Sequence, residues 1–572
     1  MRYQRQALEW MYCREKEDPK GGILADDMGL GKTLTMIALI LARKPTERIE
    51  AANDDEDDEG NGCEWSLKLK YYPGGTLIIC PASLLRQWEF EIKSKVSGNQ
   101  LTTCIHHGQK RESKRKLLRT YNIVITTYTI VNNEYKVNGP LFGIEWKRIV
   151  LDEGHIIRNH KSQTSVAVCS LRGLCRWVLT GTPVHNKQMD VYTLLKFLQY
   201  PQLDAPTYWK RCVGKDQLHL NTILKTLMLR RTKAQLQDMG ELSNLPQKRT
   251  ELIEIELDKD ERKVYQRVMD YTHEVFAKFL KQKAESYEIF VLLLRLRQIC
   301  CHPGLIVSML QNGDGPQISF ESEASDSEFD DVQQMSSESE AMKSEFDLLN
   351  KLVTDDNSET VRDILSNSAH GDWDASSISK ASTKVLKQSN SVFDLKRPSS
   401  KMRKALEILT TSVLKTNDKA IVVSQWISVL EILGSHLEEA GISTLAFNGQ
   451  IPVKKRQDII TEFNDPSSKK RILLLSLTAG GVGLNLIGAN HLLLFDCHWN
   501  PQLEAQAQDR IYRVGQKKSV TIHKFVCKDT VEERIQSLQK RKLALADSVL
   551  SGGKGAKLTR DELEHLFGMD KR

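Results

Sequence analysis

The stretch GGILADDMGLGKT, Gly21 to Thr33, holds residue types that can bind a nucleoside triphosphate. A Gly-rich turn, Met28-Gly29-Leu30-Gly31, runs into Lys32-Thr33 and then into an apolar stretch, Leu34 to Leu41. Small Gly residues let backbone N–H groups close around phosphate oxygens, and a helix starting there adds its partial positive charge. Lys32 would reach the β- and γ-phosphates, and the Thr33 hydroxyl would ligate Mg2+. The longer form of this loop puts a Gly where Asp26 stands, so only the short G-x-GK[ST] core is present.

A second set of residues fits the same chemistry. LDEGH, Leu151 to His155, follows the apolar run Arg148 to Val150. A carboxylate there, Asp152, can hold the Mg2+ shell, and the next, Glu153, can orient or deprotonate an attacking water. Far downstream, QAQDRIYRVGQ (Gln506 to Gln516) sets Arg510 and Arg513 on one helical face. Two such arginines could act on a γ-phosphate held elsewhere, although a helix Arg is more often a surface ion-pair partner. SLTAGGVGLNLIGAN (Ser476 to Asn490) is a Gly-rich loop whose N–H groups could meet a nucleic-acid backbone.

Positioning these groups requires parallel sheets. Short apolar strands alternate with helical stretches at Gly22–Ala25, Thr76–Cys80, Ile123–Thr126, Arg148–Asp152 and Trp177–Thr180. They do so again at Ala420–Ser424, Thr444–Phe447, Ile472–Ser476, Leu492–Phe495 and Val520–Phe525. The pattern predicts an α/β protein with two parallel-sheet lobes covered on both faces. The expected division is a first lobe at 1–245 with an acidic insertion near 44–70, and a helical linker at 246–310. An acidic, Ser-rich, disordered insertion at 311–400, a second lobe at 401–547 and a tail at 548–572 complete it.

Composition narrows the partners. The chain has 572 residues and a net charge of +7, but residues 311–400 carry 18 acidic and 8 basic side chains. The remainder is therefore basic, which fits a polyanion partner and equally a generic solvated surface. Ser325 and Ser327 lie in the acidic ASDSEFDD, where phosphate would deepen the charge. No apolar run approaches a membrane span. The eleven Cys residues form no C-x-x-C pair. That argues for a reducing compartment, and Cys300-Cys301-His302 reads as a buried thiol pair rather than a metal site.

The order of motifs is more specific. Gln4 in RYQRQALEWM, DMGLGKT, CPASLLRQW, ITTYTIV, LDEGH, LTGTPVHN, IVVSQW, LTAGGVGLNL, FDCHWNP and QAQDRIYRVGQ succeed one another. This series resembles the SWI/SNF-type helicase-like ATPases of helicase superfamily two. LLRLRQICCHPGL, MLRRTK and DEGH point to the subgroup that holds transcription termination factor two (lodestar) and the RING-bearing post-replication repair translocases. The lack of a RING cysteine pattern favours the former branch.

The resemblance implies two RecA-like lobes that bind ATP and Mg2+ between them. By motif, Gln4 would read adenine, with Asp26, Met28, Gly29, Leu30, Gly31, Lys32 and Thr33 around the phosphates. Thr33 and Asp152 would hold Mg2+, and Gln506, Arg510 and Arg513 would complete catalysis with Lys32, Asp152 and Glu153. Pro81–Leu85, Thr126–Tyr128, Ser424–Trp426 and Thr478–Gly483 would track DNA phosphates. The activity implied is translocation on double-stranded DNA with displacement of a bound protein, a stalled RNA polymerase II complex in the termination branch. A nuclear location follows from that substrate. A repair or chromatin translocase, a strand-separating helicase and a non-hydrolysing chromatin scaffold remain the alternatives. The family carries chain before the adenine-reading Gln, so a fragment, a truncated gene model or a short isoform is expected.

Overall fold

The protein is described from a computed structural model covering residues 1–43, 72–98, 100–109, 111–181, 188–200, 209, 217–242, 245–282, 286–307, 390–480 and 484–550. The expected insertion at 44–70, most of that at 311–400, and nearly all of the tail at 548–572 lie outside the described residues.

Two parallel sheets organise the chain. The first contains β1 (Gly21–Leu24), β2 (Tyr72–Cys80), β3 (Thr103–Ile105), β4 (Ile123–Thr127), β5 (Ile144–Asp152), β6 (Gly173–Leu179) and β7 (Met228–Leu229), in the order β3-β4-β2-β5-β6-β1-β7. The second contains β8 (Lys248–Ile255), β9 (Ala420–Ser424), β10 (Thr444–Phe447), β11 (Ile472–Ser476), β12 (His491–Leu494) and β13 (Val520–Cys527), in the order β10-β11-β9-β12-β13-β8. β1, β4, β9 and β11 are buried along their whole length. Both faces must therefore be covered, and their continuous apolar runs say so. One face of the first sheet packs around Trp146, Tyr192 and Phe197, the other around Trp88, Met36 and Trp177.

Two findings differ from the sequence reading. Lys248–Ile255, expected in a helical linker, is β8 and pairs along β13 from Val520 to Cys527. As an edge strand it leaves Lys248, Arg249, Thr250, Leu252 and Glu254 exposed, and so lacks the apolar run that marks its neighbours. The second difference is at the end of the acidic insertion. Val392 and Phe393 are buried in the second lobe's core, and Ser399 caps a helix, Ser400–Ile408. Two apolar side chains thus anchor the stretch just before 400 that its acidic, Ser-rich composition had assigned to disorder.

The helices Lys259–Gln282 and Ser286–Cys301 pack on the second sheet, because Tyr265, Leu293, Leu296 and Ile299 share one core with Val422, Leu474 and Phe525. Among the described residues no helix is long and apolar enough to cross a membrane.

Candidate nucleotide site between the lobes

Strand register brings the first-lobe groups together. Leu24 of β1 and Asp152 of β5 both pair with Leu179 of β6. The loop after β1 and the carboxylates after β5 thus share one edge of the sheet, two strand spacings or about 10 Å apart. Ligands of open parallel sheets bind at such edges.

The turn itself depends on glycine. Gly29 and Gly31 have φ of +84° and +86°, and Gly31 is the N-cap of the helix Lys32–Ala42. A Cβ on Gly29 would stand 2.5 Å from Arg513 Cβ, and one on Gly31 would strike Gln4 Nε2. Lys32 Nζ donates to the carbonyl oxygens of Asp26 (2.6 Å) and Asp27 (3.2 Å). Burial pulls its pKa below the usual lysine value, while Glu153, Asp26 and Asp152 push back. Thr33 follows, half-buried. The Leu30 carbonyl accepts from the Tyr3 hydroxyl (3.1 Å) and from Gln4 Nε2 (3.2 Å), so the N-terminal helix Arg2–Arg14 grips the turn.

The Asp26 side chain is engaged within the protein. Its carboxylate is buried and takes two hydrogen bonds from Arg231, at 3.0 Å from Nε and 2.5 Å from Nη2. Only its carbonyl faces Lys32. The residue in the glycine position is thus a strut for the loop.

Asp152 accepts from Trp88 Nε1 (2.8 Å) through its carboxylate and from the Tyr128 hydroxyl (2.8 Å) through its carbonyl. Burial, then the charge of Glu153, push its pKa well up. Glu153 sits at φ +51°, left-handed backbone that a side chain occupies at a cost and that clusters at functional sites. Burial works to raise its pKa, but His155, whose Nδ1 is 3.3 Å from Glu153 Oε2, together with Arg510 and Lys32, holds it down. The two neighbouring carboxyls are therefore split, one drawn towards the protonated form and one kept ionised.

The second lobe closes over this site. Arg510 is buried, its Nη2 4.0 Å from Met28 Sδ, and burial lowers its pKa to about 10 against the pull of Glu153. Arg513 donates to the Leu484 carbonyl (3.2 Å), and the Val514 N–H reaches the Gly29 carbonyl (3.3 Å). Among the described residues, no hydrogen bond joins Gln506 to the first-lobe groups. Its Nε2 is buried without a partner, a donor left for a bound group to satisfy.

Several residues at this site had no assigned role: Trp88, His155, Arg231, Lys233 and Asp509. Each lies in or beside a motif quoted above, and His155 pairs with its near neighbour Glu153, but the pairings of the other four span long separations that no spacing rule exposes. Lys233 Nζ, for example, reaches Asp509 Oδ1 at 2.6 Å.

Two segments expected to hold DNA phosphates turn inward. Thr126 donates to the His106 carbonyl (3.0 Å), Thr127 caps the next helix, and Tyr128 reaches Asp152. Ser424 donates to Asp496 (2.6 Å), the Gln425 N–H also points to Asp496, and Trp426 is buried. Both segments start at the ends of fully buried strands, and the hydroxyls of Thr126, Tyr128 and Ser424 are spent inside the lobes, whereas Gln425 Nε2 and Trp426 Nε1 are buried without a partner. Gly481 to Gly483 lie outside the described residues. Cys300 and Cys301 are core residues. Cys300 Sγ, Cys527 Sγ and a Glu532 oxygen lie within 4.8 Å of one another, but Lys401 Nζ holds both Glu532 oxygens, at 2.6 and 2.7 Å. A cation there would face an ammonium.

Comparison with known proteins adds identity of kind. Residues 3–305 match the family described as SNF2-related domain, and residues 400–515 match the helicase conserved C-terminal domain. Transcription termination factor 2 of Drosophila melanogaster is 51% identical, the match covering 100% of this chain and 59% of that protein. DNA repair protein RAD5B of Arabidopsis thaliana is 34% identical over 96% of this chain and 47% of its own length. The chain thus spans about half to three fifths of these two relatives. The Sulfolobus solfataricus SWI2/SNF2 ATPase core in complex with dsDNA is 25% identical, covering 99% of this chain and 96% of its own, at a TM-score of 0.37.

Proposed function

The chain belongs to the SNF2-related family, and from that premise we propose that it hydrolyses ATP to move along double-stranded DNA. The observation that carries this reading is the split site, in which Arg510 of the second lobe is buried against Met28 and is sensed by Glu153 of the first. Neither lobe alone holds a complete set of groups.

The residues present fit the nucleotide. Lys32 rests on two backbone carbonyls that it can exchange for phosphate oxygens, and Gln506 Nε2 waits for an acceptor. Thr33 and Asp152 would hold Mg2+, whose charge would neutralise the phosphate oxygens. Glu153, kept ionised, would orient the attacking water and take its proton. Arg510 and Arg513 would stabilise charge building up on the γ-phosphate, and Gln4 would contact the adenine from the N-terminal helix.

Movement follows from closure. Binding draws the lobes together and product release lets them part. If each lobe holds DNA phosphates, each cycle advances the grip without reading sequence. Pro81–Leu85 and the loop opened by Thr478 remain the segments proposed for that grip. Displacement of a stalled RNA polymerase II in the nucleus is the substrate-level reading, supported by the name of the Drosophila melanogaster relative.

ATP turnover measured with no nucleic acid, single-stranded DNA, duplex DNA and RNA tests the proposal. Stimulation greatest with duplex DNA is expected. Efficient unwinding of a bare duplex would replace translocation with strand separation, and absence of turnover under every condition would leave a scaffold.

A further inference from the structure

Lys233 occupies an unusual place between the lobes. It opens the short helix Lys233–Asp238, capped by Thr232. Its backbone N–H donates to Asp27 Oδ2 (2.9 Å), in the stretch leading into the phosphate loop. Its Nζ crosses to the other lobe, donating to Asp509 Oδ1 (2.6 Å) and to the Tyr512 carbonyl (2.5 Å). Asp509 immediately precedes Arg510, and Tyr512 immediately precedes Arg513. The ammonium also lies 5.0 Å from the centre of the Tyr512 ring. Beside it, Gln237 Nε2 donates to the Tyr512 hydroxyl (3.1 Å) and Lys248 Nζ to Gln508 Oε1 (2.7 Å).

We propose that Lys233 is a positioning residue that sets Arg510 and Arg513 over the phosphate loop by holding the residues just before each of them. Main chain on one side and side chain on the other tie Asp27 to the arginine-bearing segment through a single residue. Lys233 is 7% exposed, so its charge-assisted bonds are little weakened by water. Its first-lobe anchor is the neighbour of Asp26, whose carbonyl Lys32 now occupies. A change in what Lys32 binds therefore shifts the base on which Lys233 stands. The inference rests on the proposed ATP hydrolysis for its catalytic consequence, but not for the geometry.

The test uses the full chain. Lys233→Ala should lower duplex-stimulated kcat about ten- to a hundredfold while KM for ATP stays within about twofold, because the lysine orients groups used in the transition state. Asp509→Ala should do the same, and the double variant should fall no further than the worse single one. Losses that multiply, or a raised KM with kcat intact, would mean that Lys233 meets the phosphates directly and would overturn the proposal. A second readout needs no turnover. The Val514 amide, bonded to Gly29 across the lobes, should exchange its hydrogen about tenfold faster or more in nucleotide-free Lys233→Ala, with β9 amides unchanged. An unaltered Val514 rate sinks the idea. Should Lys233→Ala fail to fold, Asp509→Asn reads the same exchange. If the wild-type protein turns over no ATP, the proposed function fails alone, and the exchange rates still decide on Lys233.

Discussion

Arg231 holds Asp26 by two side-by-side hydrogen bonds and, through Nη1, donates to the Tyr3 carbonyl at 2.7 Å. One guanidinium thus ties the residue in the glycine position of the phosphate loop to the helix that carries Gln4. Arg231→Ala should strand a buried carboxylate and cost roughly 3–5 kcal/mol, while Arg231→Ala with Asp26→Ala should recover much of that loss. Urea unfolding of the three proteins decides. A double variant no more stable than the single would show that Asp26 is not the group left unpaired.

Trp88 acts on Asp152 through one bond, and its sign is clear. The indole N–H stabilises the ionised carboxylate, so its loss raises a pKa that burial has already pushed up. Trp88→Phe should therefore need about three- to tenfold more Mg2+ for half-maximal ATP hydrolysis, with a larger effect near pH 6 than near pH 8. Equal Mg2+ requirements at both pH values would show that the indole serves packing alone.

Much of this was legible from residue types. The loop at Gly29–Lys32, the pair Asp152-Glu153 and the arginine segment announce themselves because each is a local pattern with its own chemistry. Fully buried strands such as β9 and β11 read directly as apolar runs, and their bounds, like those of the half-buried β10, agree with the structure. What stayed hidden is non-local. β8 carries Lys248, Arg249, Glu251 and Glu254 along a largely exposed edge, and only its pairing with β13 defines it. Asp26 looks like a defect in a phosphate loop until Arg231, 205 residues away, is placed on it. Trp426, within a segment read as a phosphate contact, instead packs under Arg297, 5.8 Å from its ring centre. Motif order identifies a machine, but it does not say which side chains face outward.

Asp496 supplies a pH test within the second lobe. Burial pushes its pKa up to about 6, although Ser424 and the Gln425 N–H favour the ionised form. The folded pKa lies above the unfolded one, so the native state binds the proton more tightly and acid favours folding through this group. Relative to Asp496→Asn, the wild-type protein should gain stability as the pH falls from about 7 to about 4, by roughly 3 kcal/mol at most. Unfolding both proteins in urea across that range measures the difference. A difference that stays flat, or one that grows with rising pH, would contradict the assignment.

Glu15 and Arg148 set the far end of the N-terminal helix. Arg148 grips both Glu15 oxygens, Nη2 at 2.8 Å, and Trp177 Nε1 adds a bond of 3.1 Å. Both charges are buried, and Arg148 stands on β5 ahead of Asp152. The strand that leads into Asp152 and Glu153 is thereby locked to the helix that carries Gln4. Glu15→Gln should leave a buried guanidinium without its counter-charge and destabilise the fold by roughly 3–5 kcal/mol. It should also loosen Gln4, so that the preference for ATP over GTP, read as the ratio of kcat/KM, narrows about three- to tenfold. The two effects separate cleanly. If stability falls while the base preference holds, the bonds from Tyr3 and Gln4 to the Leu30 carbonyl suffice to seat the helix, and Glu15 serves the lobe rather than the site.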